Sequence, residues 1–218
     1  MPSPLLIFQN VIKRGSKLVS ESIDLPSLFN TIGEADKSYK VCTYEEIDLA
    51  TDMGRSGIVL AAAAMDDYFT RKYSQALLPS IRKRGVTDSL AKVLSEGGLD
   101  VKAALELLTM ERPYRRVRKI AQDYYAKYST QRSEKIDALF GTLGLVGLSK
   151  HAQSRSKRKT LLRTVEKLVA RRHQIVHGGD LNKQGKLQRF DPQEALRRIE
   201  AVEVYVENAD FIINKYIS

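Results

Sequence analysis

Residues 58–78 form a long apolar stretch in which large side chains recur at steps of three and four residues. That spacing places them on one face of an α-helix, and the alanine run in the same stretch favours helix and close packing. A helical pattern already begins at Tyr44, and the basic cluster before Gly85 suits the C-terminal end of a helix. The pattern predicts a central core helix that ends near Arg84.

Further helices are predicted from local start and stop signals. Thr87 and Asp191 are suitable N-cap residues, and Pro113 and Pro192 suit the first position of a helix. Together with apolar periodicity, these signals predict helices at residues 89–96, 99–110, 113–128, 133–140, 150–172 and 192–217. No segment has a convincing strand pattern, so the predicted fold class is all-α, an antiparallel helical bundle with additional helices.

The first 43 residues differ in pattern from the rest of the chain. Prolines and glycines interrupt their short apolar groups, which predicts an N-terminal arm at residues 1–43 with one or two short helices. Residues 44–218 are predicted to form the main helical domain, because the long periodic segments all lie there.

The chain is strongly basic. Lysine and arginine number 36 against 26 aspartates and glutamates, which gives a formal net charge of +10. Such a charge favours a polyanionic partner, namely nucleic acid, an acidic protein or an anionic membrane surface. A basic protein without any such partner has the same composition, so charge alone does not choose among these.

Cysteine usage and hydropathy bear on the compartment. The one cysteine, Cys42, excludes an intrachain disulfide and a cysteine-based metal site, and it suits a reducing compartment. Lys13 and Arg14 follow the N-terminal apolar patch, which reverses the order of a secretory signal. No apolar run approaches the roughly 20 residues that cross a bilayer. We therefore expect a soluble, cytoplasmic protein with no membrane partner.

Two other groups of polar residues allow more than one interpretation. Arginines alternate with tyrosines at residues 113–128, where they can contact phosphate and stack on bases. At helical spacing the tyrosines also suit the core and rim of a helical packing. Asp66 and Asp67 follow the apolar run, and either one of them faces a buried basic partner or both face solvent.

Residues 171–180 carry two of the three histidines, at the end of the basic helical run and before two glycines. His173 and His177 are four residues apart and share a helix face, whereas Arg172 lies about 140° from His177 around the axis. These two meet if the helix loosens near Gly178, or if a two-fold dimer brings in a second copy of the face. Basic residues followed by glycine also end helices without any chemistry. A metal site is disfavoured, since the adjacent arginines repel a dication.

The motif itself resembles a known signature. Residues 168–181 resemble HEPN domains, the all-helical ribonuclease superfamily of toxin and defence systems. The signature is an arginine, a polar residue, three further residues and a histidine, and Arg172, His173 and His177 occupy these positions. The resemblance implies a metal-independent endoribonuclease without a cofactor, with Arg172 and His177 as the catalytic pair and His173 in a supporting position.

The surroundings of the motif resemble one subfamily in particular. The phrase from the arginine pair to Asp180 is similar to the subfamily called RiboL-PSP-HEPN. Residues 58–73 resemble its first core helix, and residues 191–217 resemble its last helix. The resemblance therefore covers about residues 44–218 and leaves the N-terminal arm unexplained.

The resemblance also implies partners and further site residues. A homodimer is implied, with the active site in the cleft between protomers, RNA as substrate and an antitoxin or defence component as a further partner. Arg171 and Asp180 are adjacent candidates for phosphate contact and orientation. Lys167 and Arg163, on the basic helix, are candidates for binding the RNA backbone, which makes binding sensitive to salt.

The chemistry implied is transesterification, in which the ribose 2′-hydroxyl attacks the neighbouring phosphate. A histidine with the ordinary pKa of about 6.5 suits a general base or acid at neutral pH, and Arg172 can stabilise charge on the phosphate oxygens. Two alternatives remain open. One is a non-catalytic HEPN-like module that binds nucleic acid or regulates a partner, and the other is an interaction scaffold for an acidic protein.

Overall fold

A computed structural model describes residues 2–35, 44–125 and 131–218, with side chains at residues 2–25, 49–125 and 131–218. Within these residues the regular elements are the helices α1 Pro4–Ala35, α2 Tyr44–Arg84, α3 Asp88–Glu96, α4 Val101–Leu107, α5 Pro113–Tyr125, α6 Ser133–Gly141, α7 Leu148–Ser156, α8 Leu161–Gly178 and α9 Pro192–Ile217. The all-α prediction is confirmed. The β-pairing among the described residues is an isolated antiparallel bridge between Leu181 and Leu187. Cys42 lies outside the described residues.

Several helix ends follow the predicted local signals. The Thr87 hydroxyl accepts a hydrogen bond from the Leu90 amide at 3.1 Å and caps α3. The Asp191 carboxylate accepts from the Glu194 amide at 3.1 Å, next to Pro192 in the first position of α9. These caps satisfy amides that have no partner within the helix, which is why short-range patterns located them correctly.

The N-terminal segment differs from the prediction of short helices, because α1 is a single helix of 32 residues. Gly15 does not interrupt it. Instead, Gly15 packs against Gly57 of α2, where a β-carbon would lie 2.5 Å from the Gly15 carbonyl oxygen. The glycine pair therefore permits close backbone approach between two helices.

The basic run predicted as one helix from residue 150 to residue 172 is two helices. Helix α7 ends at Ser156, and the next residue, Lys157, has a left-handed backbone with φ of 59°. The Arg158 amide donates to the Ser156 hydroxyl at 3.2 Å, a local bond that replaces helical pairing in this turn. Helix α8 then begins at Leu161.

The chain divides into two compact units, Met1–Ala64 with Thr160–Val204 and Met65–Lys159 with Tyr205–Ser218. Buried apolar side chains in the first unit include Phe8, Ile12, Val19, Ile58, Ala61, Leu161, Val165, Leu168, Ile199 and Val202. Those in the second include Met65, Tyr68, Phe69, Tyr73, Leu77, Leu90, Ile120, Ile136, Phe140, Leu148, Tyr205 and Ile213. Helix α1 clusters with the start of α2, and the boundary at residue 43 stays a prediction.

The second unit contains a buried polar cluster around Asp210. Its carboxylate accepts from the Lys72 ammonium at 2.6 Å, the Tyr68 hydroxyl at 2.8 Å and the Asn214 amide at 2.7 Å. Burial raises the pKa of Tyr68, and the Asp210 charge acts in the same direction, so the phenol stays protonated and donates. By contrast, Asp67 is partly exposed and pairs with the exposed Arg71 at 2.7 Å, so it does not face a buried basic partner, and Asp66 is also partly exposed.

The tyrosines of α5 occupy packing positions in the second unit. Tyr125 meets the edge of Tyr73 with ring centroids 5.2 Å apart, and the Tyr124 hydroxyl donates to Glu96 at 2.7 Å. Tyr114 is more exposed, with the Arg82 guanidinium 5.2 Å from its ring centroid. The core-and-rim interpretation accounts for these three, while Tyr128 lies outside the described residues.

Replacing Gly57 by alanine is expected to destabilise the protein by about 1–3 kcal/mol, since the new methyl group forces a backbone or side chain to move. Its β-carbon would lie 2.5 Å from the Gly15 carbonyl oxygen and 2.6 Å from Val19. The matched control is Gly141→Ala in α6, where a β-carbon would meet no heavy atom within 4 Å apart from its chain neighbours and the backbone of its own helix. Equal unfolding free energies for the two variants in urea would contradict the close approach.

Candidate active site

Helix α8 positions the candidate residues on a single rigid element. It buries Leu161, Val165 and Leu168 on one side and remains helical through Gly178. It ends where Gly179 adopts a left-handed backbone, with φ of 58°, and donates its amide to the Gln174 carbonyl. The loosening near Gly178 that was one way to join arginine and histidine is therefore absent.

The two histidines lie side by side near the end of α8. Both side chains are exposed, and the ring centroids of His173 and His177 are 4.5 Å apart. The predicted shared face is confirmed, since a step of four residues brings side chains together on a helix. Two accessible imidazoles at this spacing can accept a proton from a ligand at the helix end, or donate a proton to it.

Arg172 is half-buried. Its Nε atom is buried and has no hydrogen-bond partner among the described residues. A buried donor without a partner is costly, so it marks a position where a ligand or another chain could supply an acceptor. In one copy of the unbroken helix, Arg172 and His177 lie about 140° apart.

Asp180 lies in the interior, contrary to the expectation that it contacts phosphate. It has no exposed surface, and its Oδ2 atom accepts from Arg55 Nε at 2.8 Å and from Arg171 Nη2 at 2.6 Å. The backbone at Asp180 is left-handed, with φ of 59°, and this turn directs the side chain inward. A buried carboxylate cannot touch RNA, but it can orient the arginines that it binds.

Arg171 is also held by the protein. Besides Asp180, it donates to the side-chain oxygen of Gln188 at 2.8 Å and to the carbonyl oxygen of Arg189 at 3.2 Å. Burial lowers the pKa of Arg171; the Asp180 charge opposes this shift, while the nearby Arg55 charge adds to it. The predicted phosphate contact of Arg171 stays a prediction, and its observed bonds give it a structural role.

Sequence patterns did not identify Arg55, which completes this group from α2. It is 6% exposed and donates to Asp180, to the Gln188 carbonyl at 2.9 Å, to Thr51 at 2.9 Å and to Asp52 at 2.9 Å. The available signal was an arginine between Gly54 and Gly57, directly before the apolar stretch of residues 58–78. Its partner is 125 residues away, so no local pattern names it.

Lys167 and Arg163 are exposed on α8. They are four residues apart and therefore lie on one face of the helix. Exposed cations at this spacing can follow a phosphate backbone, and their predicted role in RNA binding stays a prediction. Among the described residues, no group of three or more histidine, cysteine, aspartate or glutamate side chains lies close enough to hold a metal ion.

These features define an all-helical protein whose exposed helix end carries an arginine and two histidines. The family model described as RiboL-PSP-HEPN matches residues 20–215, and the chain belongs to this family. The match takes in residues 20–43, which the sequence analysis assigned to the arm. The family suggests a ribonuclease or nucleic-acid-related function.

Two further comparisons found no similar protein. No curated protein and no solved structure matches the chain significantly. In the part of the chain that the structure describes, no helix has both the length and the apolar character needed to span a membrane.

Proposed function

We propose that this protein is a metal-independent endoribonuclease that cleaves single-stranded RNA by attack of the 2′-hydroxyl. The observation that carries the proposal is the pair of adjacent, exposed imidazoles of His173 and His177 at the motif positions of a RiboL-PSP-HEPN chain. Exposed imidazoles on a rigid helix are available to substrate and need no rearrangement to act.

The roles follow from the chemistry of each group. His177 accepts the proton of the 2′-hydroxyl as its oxygen bonds to phosphorus, or donates a proton to the 5′-oxygen as the bond from phosphorus to that oxygen breaks. Arg172 stabilises the negative charge that builds on the phosphate oxygens. His173 supports His177. Lys167 and Arg163 bind the RNA backbone on either side of the scissile phosphate. The products are a 2′,3′-cyclic phosphate and a 5′-hydroxyl.

A homodimer gives the simplest way to bring the catalytic pair together. In one copy the two side chains lie about 140° apart on α8, so a second copy has to supply one of them. The buried Nε atom of Arg172, which has no hydrogen-bond partner among the described residues, supports an interface at this helix end. A cytoplasmic toxin or phage-defence role, with an antitoxin or defence partner, is proposed from the family alone.

The same geometry also favours a second candidate. If the chain acts as a single copy, an unbroken α8 keeps Arg172 and His177 on different faces. The protein would then be a nucleic-acid-binding or regulatory module without catalysis. Clean protein that binds RNA and releases no product would favour this candidate.

Single-stranded RNA incubated with the protein in EDTA is expected to yield fragments that end in 2′,3′-cyclic phosphate. The 2′-hydroxyl is the nucleophile, so a single 2′-deoxynucleotide at the scissile position is expected to abolish cutting there. Mapping fragment ends by mass spectrometry checks both. The control is the same deoxy substitution three or more nucleotides away, which should leave cleavage unchanged. Cleavage that requires added metal, or that persists at the deoxy position, contradicts the mechanism.

A further inference from the structure

Residues 180–188 form a short structured loop directly after α8, which we call the basic hairpin. Leu181 and Leu187 pair in an antiparallel bridge, and the Asn182 amide donates to the Lys186 carbonyl at 2.8 Å. The Asn182 side chain accepts from the amides of Gln184 at 2.9 Å and Lys186 at 3.0 Å. The tip is therefore ordered by its own hydrogen bonds.

The base of the basic hairpin is clamped from inside. Arg55 binds both ends of it, through the Asp180 carboxylate at 2.8 Å and the Gln188 carbonyl at 2.9 Å. Arg171 binds the same two residues through their side chains, at 2.6 Å and 2.8 Å. Burying charged groups costs several kcal/mol each, and apolar packing often gives equal stability. This clamp is therefore better explained by its holding the basic hairpin in one position than by a gain in stability.

The basic hairpin presents cations and no acid at its surface. Lys183 and Lys186 are exposed at the tip, Arg189 follows just after it, and residues 181–189 contain no aspartate or glutamate. The hairpin begins three residues after His177. The hairpin directly follows the helix end that carries His177, so two ammonium groups on this ordered support suit the phosphates of a strand bound at that end.

We propose that the basic hairpin binds the RNA backbone beside the scissile bond through Lys183 and Lys186, and that Arg55 is the positioning residue that holds it. This inference rests on the proposed function, because RNA is its ligand. Lys183 and Lys186 touch phosphate, whereas Arg55 is buried and acts only through Asp180 and Gln188.

The test is salt-dependent binding of a fluorescent single-stranded RNA, measured by anisotropy in a His177→Ala background that does not cut it. Lys183→Gln with Lys186→Gln is expected to lower the slope of log K against log salt by about 1.4, since each contact contributes about 0.7. At about 0.1 M salt this corresponds to an affinity loss of about 25-fold. The double variant lowers the formal net charge from +10 to +8.

The matched control removes two lysines from α1, a helix of the same unit. Lys13→Gln with Lys17→Gln also gives a net charge of +8, and both lysines are exposed on α1. It is expected to change the slope by less than about 0.3, because lysines that make no phosphate contact release no counterions from the RNA. Equal losses in the two double variants would show that only total charge matters and would overturn the inference.

Arg55→Lys tests the positioning role because it keeps the charge but loses the forked geometry. It is expected to lower the salt slope as the lysine double variant does, although Arg55 does not reach solvent. Added to the lysine double variant, it should lower the slope no further. If Arg55→Lys fails to fold by circular dichroism, Asn182→Ala provides the same readout, since Asn182 is exposed and orders the tip. An unchanged slope in Arg55→Lys overturns the role of Arg55. An unchanged slope in Asn182→Ala shows that phosphate binding does not need an ordered hairpin, which removes the ground for any positioning role.

The inference and the proposed function fail in different measurements. Loss of cleavage chemistry would appear in the fragment ends of the wild-type protein, independently of binding. The hairpin inference fails if the lysine double variant keeps the affinity and slope of its background, or if that background does not bind RNA at all. Tight binding that depends on Lys183 and Lys186 without any cleavage would support the hairpin and overturn the nuclease.

Discussion

Replacing His177 by alanine is expected to lower the rate of RNA cleavage by about 10²- to 10⁴-fold, which is the usual contribution of a general acid or base. The side chain is exposed, so its loss should leave folding unchanged. The measurement is the initial cleavage rate in EDTA, together with a thermal melt. The matched control is His151→Ala on α7, because His151 is the remaining histidine and is also exposed. Equal rates for the two variants would remove His177 from the mechanism.

The same variant shows whether the site is shared between copies. Arg172→Ala and His177→Ala should each be inactive, but a mixture is expected to recover about a quarter of the wild-type rate if each site takes one residue from each protomer. Half of the randomly mixed dimers are then mixed, and each has one intact site of two. If both residues come from one protomer, no intact site forms and the mixture stays inactive. A monomeric mass by light scattering would contradict the shared site directly.

The features that the sequence predicted correctly depend on interactions between residues that are close together in the chain. The ends of α3 and α9 depend on a hydroxyl or carboxylate within three residues, so Thr87 and Asp191 identified them. The common face of His173 and His177 follows from helix geometry alone. Family resemblance added the motif, whose residues are contiguous in the chain and therefore visible without a structure.

What it could not predict depends on distant partners or on single backbone conformations. The clamp joins Arg55 to a carboxylate 125 residues away, and no local pattern relates the two. Asp180 was a candidate for phosphate contact and orientation, but its own left-handed backbone accompanies a fully buried side chain. Likewise, α7 ends where Lys157 adopts a left-handed backbone. Lysine is a good helix former, so helix propensity gives no sign of a break at this position.

The length of α1 illustrates the same limit. Glycine weakens an isolated helix by about 1 kcal/mol, so Gly15 favoured a break when judged locally. In the structure Gly15 lets the backbone of α1 approach Gly57, and the gain from packing outweighs the local cost. The outcome was decided by the neighbouring helix, which the local pattern does not contain.

Replacing Asp180 by asparagine is expected to destabilise the protein by about 3–5 kcal/mol, because Arg171 loses its carboxylate partner and the buried Arg55 keeps only the exposed Asp52. The substitution isolates the charge. Asparagine tolerates the left-handed backbone observed at Asp180. Its amide oxygen can still accept from Arg55 and Arg171 at the Oδ2 position, and its amide nitrogen takes the place of Oδ1, which has no partner among the described residues.

The sign of a second substitution separates this electrostatic cause from lost packing. Adding Arg171→Met to Asp180→Asn should recover part of the stability, because it removes the charge that has lost its carboxylate and keeps an unbranched side chain. A packing defect would instead make the double variant worse. The matched control, Asp67→Asn, neutralises a partly exposed partner of Arg71 and should cost less than about 1 kcal/mol. Urea denaturation measures all three, and a value for Asp180→Asn as small as that for Asp67→Asn would mean that the clamp does not depend on the Asp180 charge.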